Sequence, residues 1–351
     1  MIFKDKVILL TGGTGSFGNA FIEMFLHSDL KRIVIFSRDE KKQDDMRRLY
    51  KSQKLKFVLG DIRDAARVEE VAKGVDYIFH AAALKQVPSC DFSPLEAVKT
   101  NIFGTDNIIK AAIKHKVKNL VCLSTGKAVY PINVMGLTKA VMEKVILQNI
   151  RDLAETENPA TKINFIRYSN VFGSRGSAVE LFIEQIKNKK PITITHKDMY
   201  RSMMTAEEAV RLAIFAMQNG ESGDLFIYKA KRTSLLSLAK MMQKLLHAKN
   251  HEIQYIGLRH GEKLEETILS EDERLRAEDM GDYIRVRFDR RGLNYYEGAY
   301  TNKRVNDIAP EDIYTPAFPT LTENDLRYML SSVGVNVPHK EESKISETSL
   351  A

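Results

Sequence analysis

Lys6-Val-Ile-Leu-Leu-Thr11-Gly12-Gly13-Thr14-Gly15-Ser16-Phe17-Gly18 is the stretch on which the fold turns. A β-rich apolar run leads straight into glycines at GxxGxxG spacing. From Phe17 to Phe25 the apolar residues then recur at helical spacing. A strand, a glycine turn and a helix in that order form a dinucleotide-binding unit. Gly12 permits the tight turn, Gly15 lets backbone approach a pyrophosphate, and Gly18 lets the helix pack closely on the sheet. Thr14, Ser16 and Phe17 complete the loop and the helix N-terminus, where free N–H groups and the positive dipole end face phosphates.

The same rhythm continues outward. Arg32–Phe36, Leu55–Leu59, Tyr77–Ala81 and Asn119–Ser124 read as buried strands. A charged helix is expected from about Glu40 to Tyr50, and an amphipathic one over Ala97–His115. Strand–helix alternation with short connections predicts an α/β fold, a Rossmann doubly wound parallel sheet. After about residue 170 the rhythm loosens. Pro191–Thr195, Arg201–Ala216 and Leu235–Leu246 suggest a smaller mixed C-terminal substrate lobe. The expected division is 1–170 for the dinucleotide domain, with some later segments returning to it, 171–337 for the lobe, and 338–351 as a disordered tail.

Composition narrows the function. With 351 residues the chain has room for two lobes, and 44% apolar with 28% charged residues is the balance of an ordinary soluble protein. No apolar run approaches the roughly 18–20 residues that span a bilayer. The opening segment is too short before its glycines to be a signal peptide, so the expected compartment is the cytoplasm. Cys90 and Cys122 have no partner at metal-ligand spacing, and the eight histidines are scattered, so no metal is expected. The net charge of +7 is spread along the chain and mixed with acids. It favours phosphate-bearing small molecules over nucleic acid.

The second strand ends in Phe36-Ser37-Arg38-Asp39-Glu40-Lys41. Ser37, Arg38 and Lys41 suit a ribose 2′-phosphate, so NADP is the expected cofactor; Asp39 keeps NAD as the alternative. Asp61, in Gly60-Asp61-Ile62-Arg63, is placed either near the adenine ring or as a simple turn residue, with Ile62 beside it.

His80-Ala-Ala-Ala-Leu-Lys85-Gln-Val-Pro88, Asn101, Leu123-Ser-Thr-Gly-Lys127-Ala and Met135-x-x-x-Lys139 together carry a resemblance. The chain is similar to extended short-chain dehydrogenase/reductases. More narrowly, it resembles the inverting UDP-N-acetylglucosamine 4,6-dehydratases (5-epimerising) of bacterial capsule and O-antigen synthesis. Arg167-Tyr-Ser-Asn170-Val, Arg259-His-Gly-Glu-Lys263 and Met280-Gly-Asp-Tyr-Ile-Arg-Val extend the likeness from Lys4 to about Tyr296.

The resemblance implies one tightly held NADP and a UDP-sugar substrate. Hydride leaves sugar C4, the C5 proton is removed, water departs from C6, hydride returns to C6 and C5 is reprotonated from the opposite face. It adds Ala81, Ala82, Ala83 and Asn101 to the cofactor set, and it implies a homo-oligomer. Lys139, on a helix expected to begin near Pro131, matches the lysine that bonds the nicotinamide ribose. Its partner one turn earlier, ordinarily tyrosine, is Met135, as in the capsule-type branch. The C4 hydroxyl proton then needs another route, through Thr125 or water to Lys139. Lys127 matches the base for the C5 proton. Gly126 stands where the family has an aspartate that protonates the departing C6 hydroxyl. Three readings of that position stand: an inactivating change, a water or another acid in its place, or chemistry that expels no water. Arg175, Arg201 and Arg259 are candidates for the substrate diphosphate, Lys85 for the sugar, and Asn170 for the substrate or its phosphate. A UDP-hexose 4-epimerase and a catalytically silent nucleotide-sugar binder are the competing functions.

Overall fold

The computed structural model describes residues 3–155, 160–248, 250–289 and 314–337. The expected tail at 338–351 lies outside the described residues. The strands are β1 Val7–Thr11, β2 Arg32–Ser37, β3 Leu55–Leu59, β4 Tyr77–His80, β5 Asn119–Thr125, β6 Lys162–Tyr168, β7 Asn170–Val171, β8 Ile192–Ile194, β9 Tyr200–Met204, β10 Leu225–Tyr228, β11 Lys231–Ser234, β12 Ile253–Tyr255, β13 Ala277–Met280 and β14 Tyr283–Val286.

Nine of them form one twisted sheet in the order β3-β2-β1-β4-β5-β6-β10-β14-β13. The first seven run parallel, and the hairpin β13–β14 closes the edge antiparallel. Its turn is Gly281-Asp282, with Gly281 at φ +79°, which suits a tight hairpin. β1, β2, β4 and β5 carry almost continuous apolar runs because both faces are covered by helices, while the edge strand β3 is partly exposed. Strand order reverses between β1 and β4, and a ligand crevice opens outside the carboxyl ends of the strands at such a reversal.

The expected doubly wound sheet is therefore present. The smaller lobe is built from the three-stranded sheet β11-β9-β7 and the pair β12-β8. It has its own apolar core around Phe182, Met199, Leu238 and Leu330. β10, β13 and β14 return to the large sheet.

Two helices depart from expectation. The segment read as one helix over 97–115 is π-helical at Val98–Phe103 and becomes α-helical only at Gly104–Lys114. The wide turn is locked from inside: Thr105 donates to the Asn101 carbonyl, and the Asn101 side chain bonds both backbone groups of Leu84. The helix expected to begin near Pro131 begins at Val134. Asn133 is itself extended, and its side chain caps the helix by accepting from Gly136 N.

Candidate functional site

A cavity of about 1120 Å³ runs along the carboxyl ends of the strands and into the lobe. Its dinucleotide end is shaped by glycine. Gly12 has φ +64°, and a β-carbon there would meet Ala82 backbone at 2.8 Å, so no larger residue fits. Gly18 lies behind the wall instead of lining it. A β-carbon there would lie 1.9 Å from the Gly13 carbonyl, which is the close packing its spacing predicted. No side chain caps the helix Ser16–Phe25, leaving its first-turn N–H groups for an anion. Thr14, Gly15, Ser16 and Phe17 line this end with Ala81, Ala82 and Ala83. The fit to a dinucleotide is thus one of bare backbone and unused donors.

A buried relay fixes the crossing. Thr11 Oγ1 and His80 Nδ1 are 2.7 Å apart, and His80 Nε2 and Thr105 Oγ1 are 2.9 Å apart. Thr105 spends its proton on the Asn101 carbonyl, so His80 carries its proton on Nε2 and Thr11 donates to Nδ1. Burial, with Lys139 nearby, pushes the His80 imidazole down to about 3, which keeps it neutral. Thr11 Oγ1 also accepts from Ala82 N. Asn101 does not line the cavity. It holds the loop after β4 through Leu84 and Thr138.

At the end of β2, Ser37, Arg38, Asp39, Lys42, Asp61 and Ile62 line the cavity. Lys41, expected among the cofactor residues, does not line it. It points away and pairs with Asp45 one turn on, because one residue rotates the helix by about 100°. Lys42, the next residue, faces the cavity. Asp39 is engaged twice, accepting from Lys42 N at 3.0 Å as the helix cap and pairing with Lys42 Nζ at 3.0 Å. Those bonds to Lys42 hold its carboxyl below the usual range. Asp61 accepts from Arg63 N and pairs with Arg63 and, at 3.3 Å, Arg38.

The other end carries the acid–base groups. Thr125, Lys127, Met135, Lys139 and Asn170 all line the cavity. Met135 and Lys139 lie one helical turn apart and are buried. The Met135 thioether packs with Cys90 and Ala97, filling its position without a proton to give. Lys139 Nζ donates to the Leu123 carbonyl at 2.9 Å. Burial pushes this lysine down to about 8. Thr125 Oγ1 accepts from Lys127 N. Lys127 Nζ pairs with Glu266 Oε1 at 2.6 Å and donates to Asn170 Oδ1 at 3.3 Å. Asn170 in turn donates to Glu266 Oε2 at 3.1 Å, and Arg201 Nε lies 3.6 Å from Oε1. Burial pushes the Glu266 carboxyl up, but Lys127 and Arg201 outweigh it and hold the group below the usual range.

Gly126 is off the cavity. A β-carbon there would meet the Thr267 carbonyl at 3.4 Å and the Ile268 side chain at 3.6 Å. The segment carrying Glu266 is therefore laid directly against it. A buried ion cluster holds that segment. Arg167 Nε and Nη2 bond Glu143, while Nη1 and Nη2 bond Glu273 at 2.6 and 2.7 Å and Nη1 also reaches the Ile268 carbonyl.

Lys85, Arg175, Arg201 and Arg259 line the cavity as expected candidates. Arg201 is tied by Nη1 to the carbonyls of Tyr200 and Leu264. The Arg175 carbonyl accepts from the Gln86 side chain, which lines the same cavity. Burial, reinforced by Lys127 and Arg175 against the opposing Glu180, pushes Lys85 down. Glu266 and Lys42 line the cavity although reading the sequence did not single them out. Glu266 follows the Arg259–Lys263 motif by three residues, and only its acidic type in that neighbourhood hinted at it.

Residues 8–288 match the family described as polysaccharide biosynthesis protein. A protein of Rickettsia canadensis named UDP-glucose 4-epimerase is 49% identical over 318 residues, 90% of this chain and 92% of its own. The X-ray structure of Pen from Bacillus thuringiensis superposes with a TM-score of 0.78 at 39% identity, covering 82% of this chain and 91% of that one. DesIV, a dTDP-glucose 4,6-dehydratase from Streptomyces venezuelae solved with NAD and TYD, shares the fold at a TM-score of 0.66 and 19% identity, over 75% and 88% of the two chains. By the span of the family match and the identity of these relatives, this chain belongs to the polysaccharide biosynthesis protein family, whose fold is that of the extended short-chain dehydrogenase/reductases acting on nucleotide sugars.

Proposed function

We propose that the chain is an NADP-dependent UDP-N-acetylglucosamine 4,6-dehydratase/5-epimerase that makes a 4-keto-6-deoxy nucleotide sugar for capsule or O-antigen polysaccharide. The observation that carries it is Lys127, an amine set in the cavity with a carboxylate at 2.6 Å. Moving hydride off C4 and back needs only a base for the C4 hydroxyl. Taking a proton from carbon and expelling hydroxide needs a further base and acid. Lys127 and its partner supply such groups, and Met135 removes the phenol on which simple 4-epimerisation usually relies.

When bound, the dinucleotide supplies reversible hydride transfer at the sugar ring. Gly12, Gly15 and the open helix end would receive its pyrophosphate. Neighbouring structures of this fold, such as DesIV, carry NAD. Lys42 and Arg38 favour the phosphorylated form here, and Asp39 is already occupied by Lys42. Arg201 and Arg259 suit the substrate diphosphate. Lys127 takes the C5 proton while Asn170 orients its amine. Lys139, lowered to about 8, holds or releases a proton near neutral pH and, with Thr125, serves the C4 hydroxyl in the absence of tyrosine.

The test is incubation with UDP-N-acetylglucosamine in D₂O, followed by NMR and mass spectrometry. A 4-keto-6-deoxy product with deuterium at C5 is the expected result. The names of the Rickettsia relatives favour a second reading, a UDP-glucose 4-epimerase. An epimer of unchanged formula from UDP-glucose, with no water lost, would establish that reading and refute the first.

A further inference from the structure

Position 126 holds no acid, yet water cannot leave C6 readily without one. We propose that Glu266 is the general acid of this chain, protonating the departing C6 hydroxyl while Lys127 removes the C5 proton. The inference rests on the dehydratase reading above and names the residue that completes it.

Three features of the cavity carry it. The first is contact: Lys127 Nζ and Glu266 Oε1 are 2.6 Å apart, and Asn170 bonds both partners. The second is position: Glu266 lines the same cavity as Thr125, Lys127 and Lys139, and it is one residue from Thr267, against which Gly126 rests. The third is burial: the Glu266 side chain is 10% exposed, so its proton exchanges with the lysine more readily than with bulk water.

A protonated lysine is no base. Before Lys127 can act, its proton must go elsewhere, and the adjacent acceptor is Glu266. Shifting one proton across this contact converts an ammonium–carboxylate pair into an amine and a carboxylic acid without changing the total charge. The same shift thus creates the base and the acid together. Low dielectric favours the neutral form, and drawing Arg201 toward a substrate diphosphate removes positive charge from Glu266.

The step then balances. The C5–H bond breaks and its proton goes to the Lys127 amine. The C5–H electron pair forms the C5–C6 double bond. The C6–O bond breaks with its electrons on oxygen, which takes the Glu266 proton and leaves as water. The pair ends as ammonium and carboxylate, its resting state, and one internal proton shift readies it for the next turnover.

The experiment compares the wild type with Glu266→Gln, Gly126→Asp and the double variant, each with dinucleotide and UDP-N-acetylglucosamine. Three readouts are taken: water loss by mass spectrometry, reduced dinucleotide by absorbance as a report on C4 oxidation, and dinucleotide affinity. In Glu266→Gln, water loss is expected to fall at least about 100-fold, the lower end for losing a positioned acid. C4 oxidation and affinity should hold, and Gly126→Asp in that background should restore at least tenfold. Glu266→Gln remaining within threefold of wild type would overturn the proposal. So would loss of oxidation or affinity along with dehydration, which marks a structural role, or loss of dehydration that Asp at 126 does not restore, which marks Glu266 as only setting Lys127. A wild type that expels no water from UDP-N-acetylglucosamine or other UDP-hexoses defeats the dehydratase reading itself, and the proposal falls with it.

Discussion

Gly126 turns its unsubstituted face to Thr267: a β-carbon on it would stand 3.4 Å from the Thr267 carbonyl oxygen. That is contact without overlap, so a β-carbon is sterically admissible at 126. Gly126→Asp is expected to fold, with a Tm within a few degrees of wild type, about 1 kcal/mol or less. With Glu266 intact, its dehydration rate should change less than tenfold. Thermal unfolding and product formation check the two halves separately.

Arg167 tests what holds that segment in place. Its side chain is 5% exposed, between Glu143 at 7% and Glu273 at 16%. Arg167→Met leaves two buried carboxylates without their cation, which typically costs about 3–5 kcal/mol. Urea unfolding should show a lower midpoint. A loss below about 1 kcal/mol would mean that the cluster does not anchor the Glu266 segment.

Lys139 sets a pH dependence. Its folded value, about 8, lies below the unfolded 10.5. Between those values the unfolded chain binds the extra proton, so stability rises with pH across the window. Below about pH 8 both states are protonated and the cost of the buried ammonium is present in full. Relative to Lys139→Met, the wild type should therefore gain stability from pH 7.5 to 10. Unfolding free energies measured without added dinucleotide at both pH values give the comparison, and a pH-independent difference would contradict it.

His80 shows the same sign at lower pH. Its folded value near 3 lies below the unfolded 6.5, so its contribution is present above pH 6.5 and is lost as pH falls toward 3. His80→Gln should flatten the acid limb of the stability profile. In wild type, nitrogen NMR of the ring should show a neutral Nε2–H tautomer from pH 5 to 8.

Lys42 and Lys41 separate the cofactor wall from its outer surface. Lys42→Ala is expected to weaken NADP about tenfold, or about 1.4 kcal/mol, and to leave NAD nearly unchanged. Lys41→Ala should change neither, because that ammonium pairs with Asp45. Calorimetric titration of each variant with both dinucleotides reads the difference.

These particular residues also show how far the sequence reaches. Strand β1, its glycine loop and the following helix were legible because their causes are local: φ at Gly12, free N–H groups at a helix start, apolar spacing along the chain. That Lys42 and not Lys41 lines the cavity was not legible, because a single step along a helix decides between wall and solvent. Met135 and Lys139 were legible as a pair because four residues return to one helix face.

What the sequence determined by itself was the fold, the dinucleotide crevice and the chemical type of most groups around it, all consequences of short-range periodicity and backbone freedom. Only the tertiary structure decided where Gly126 faces and which acid stands beside Lys127. Those depend on the chain returning after β12 to lie against β5, held by Arg167 between Glu143 and Glu273, and that long-range electrostatic contact leaves no periodic trace in the order of residues.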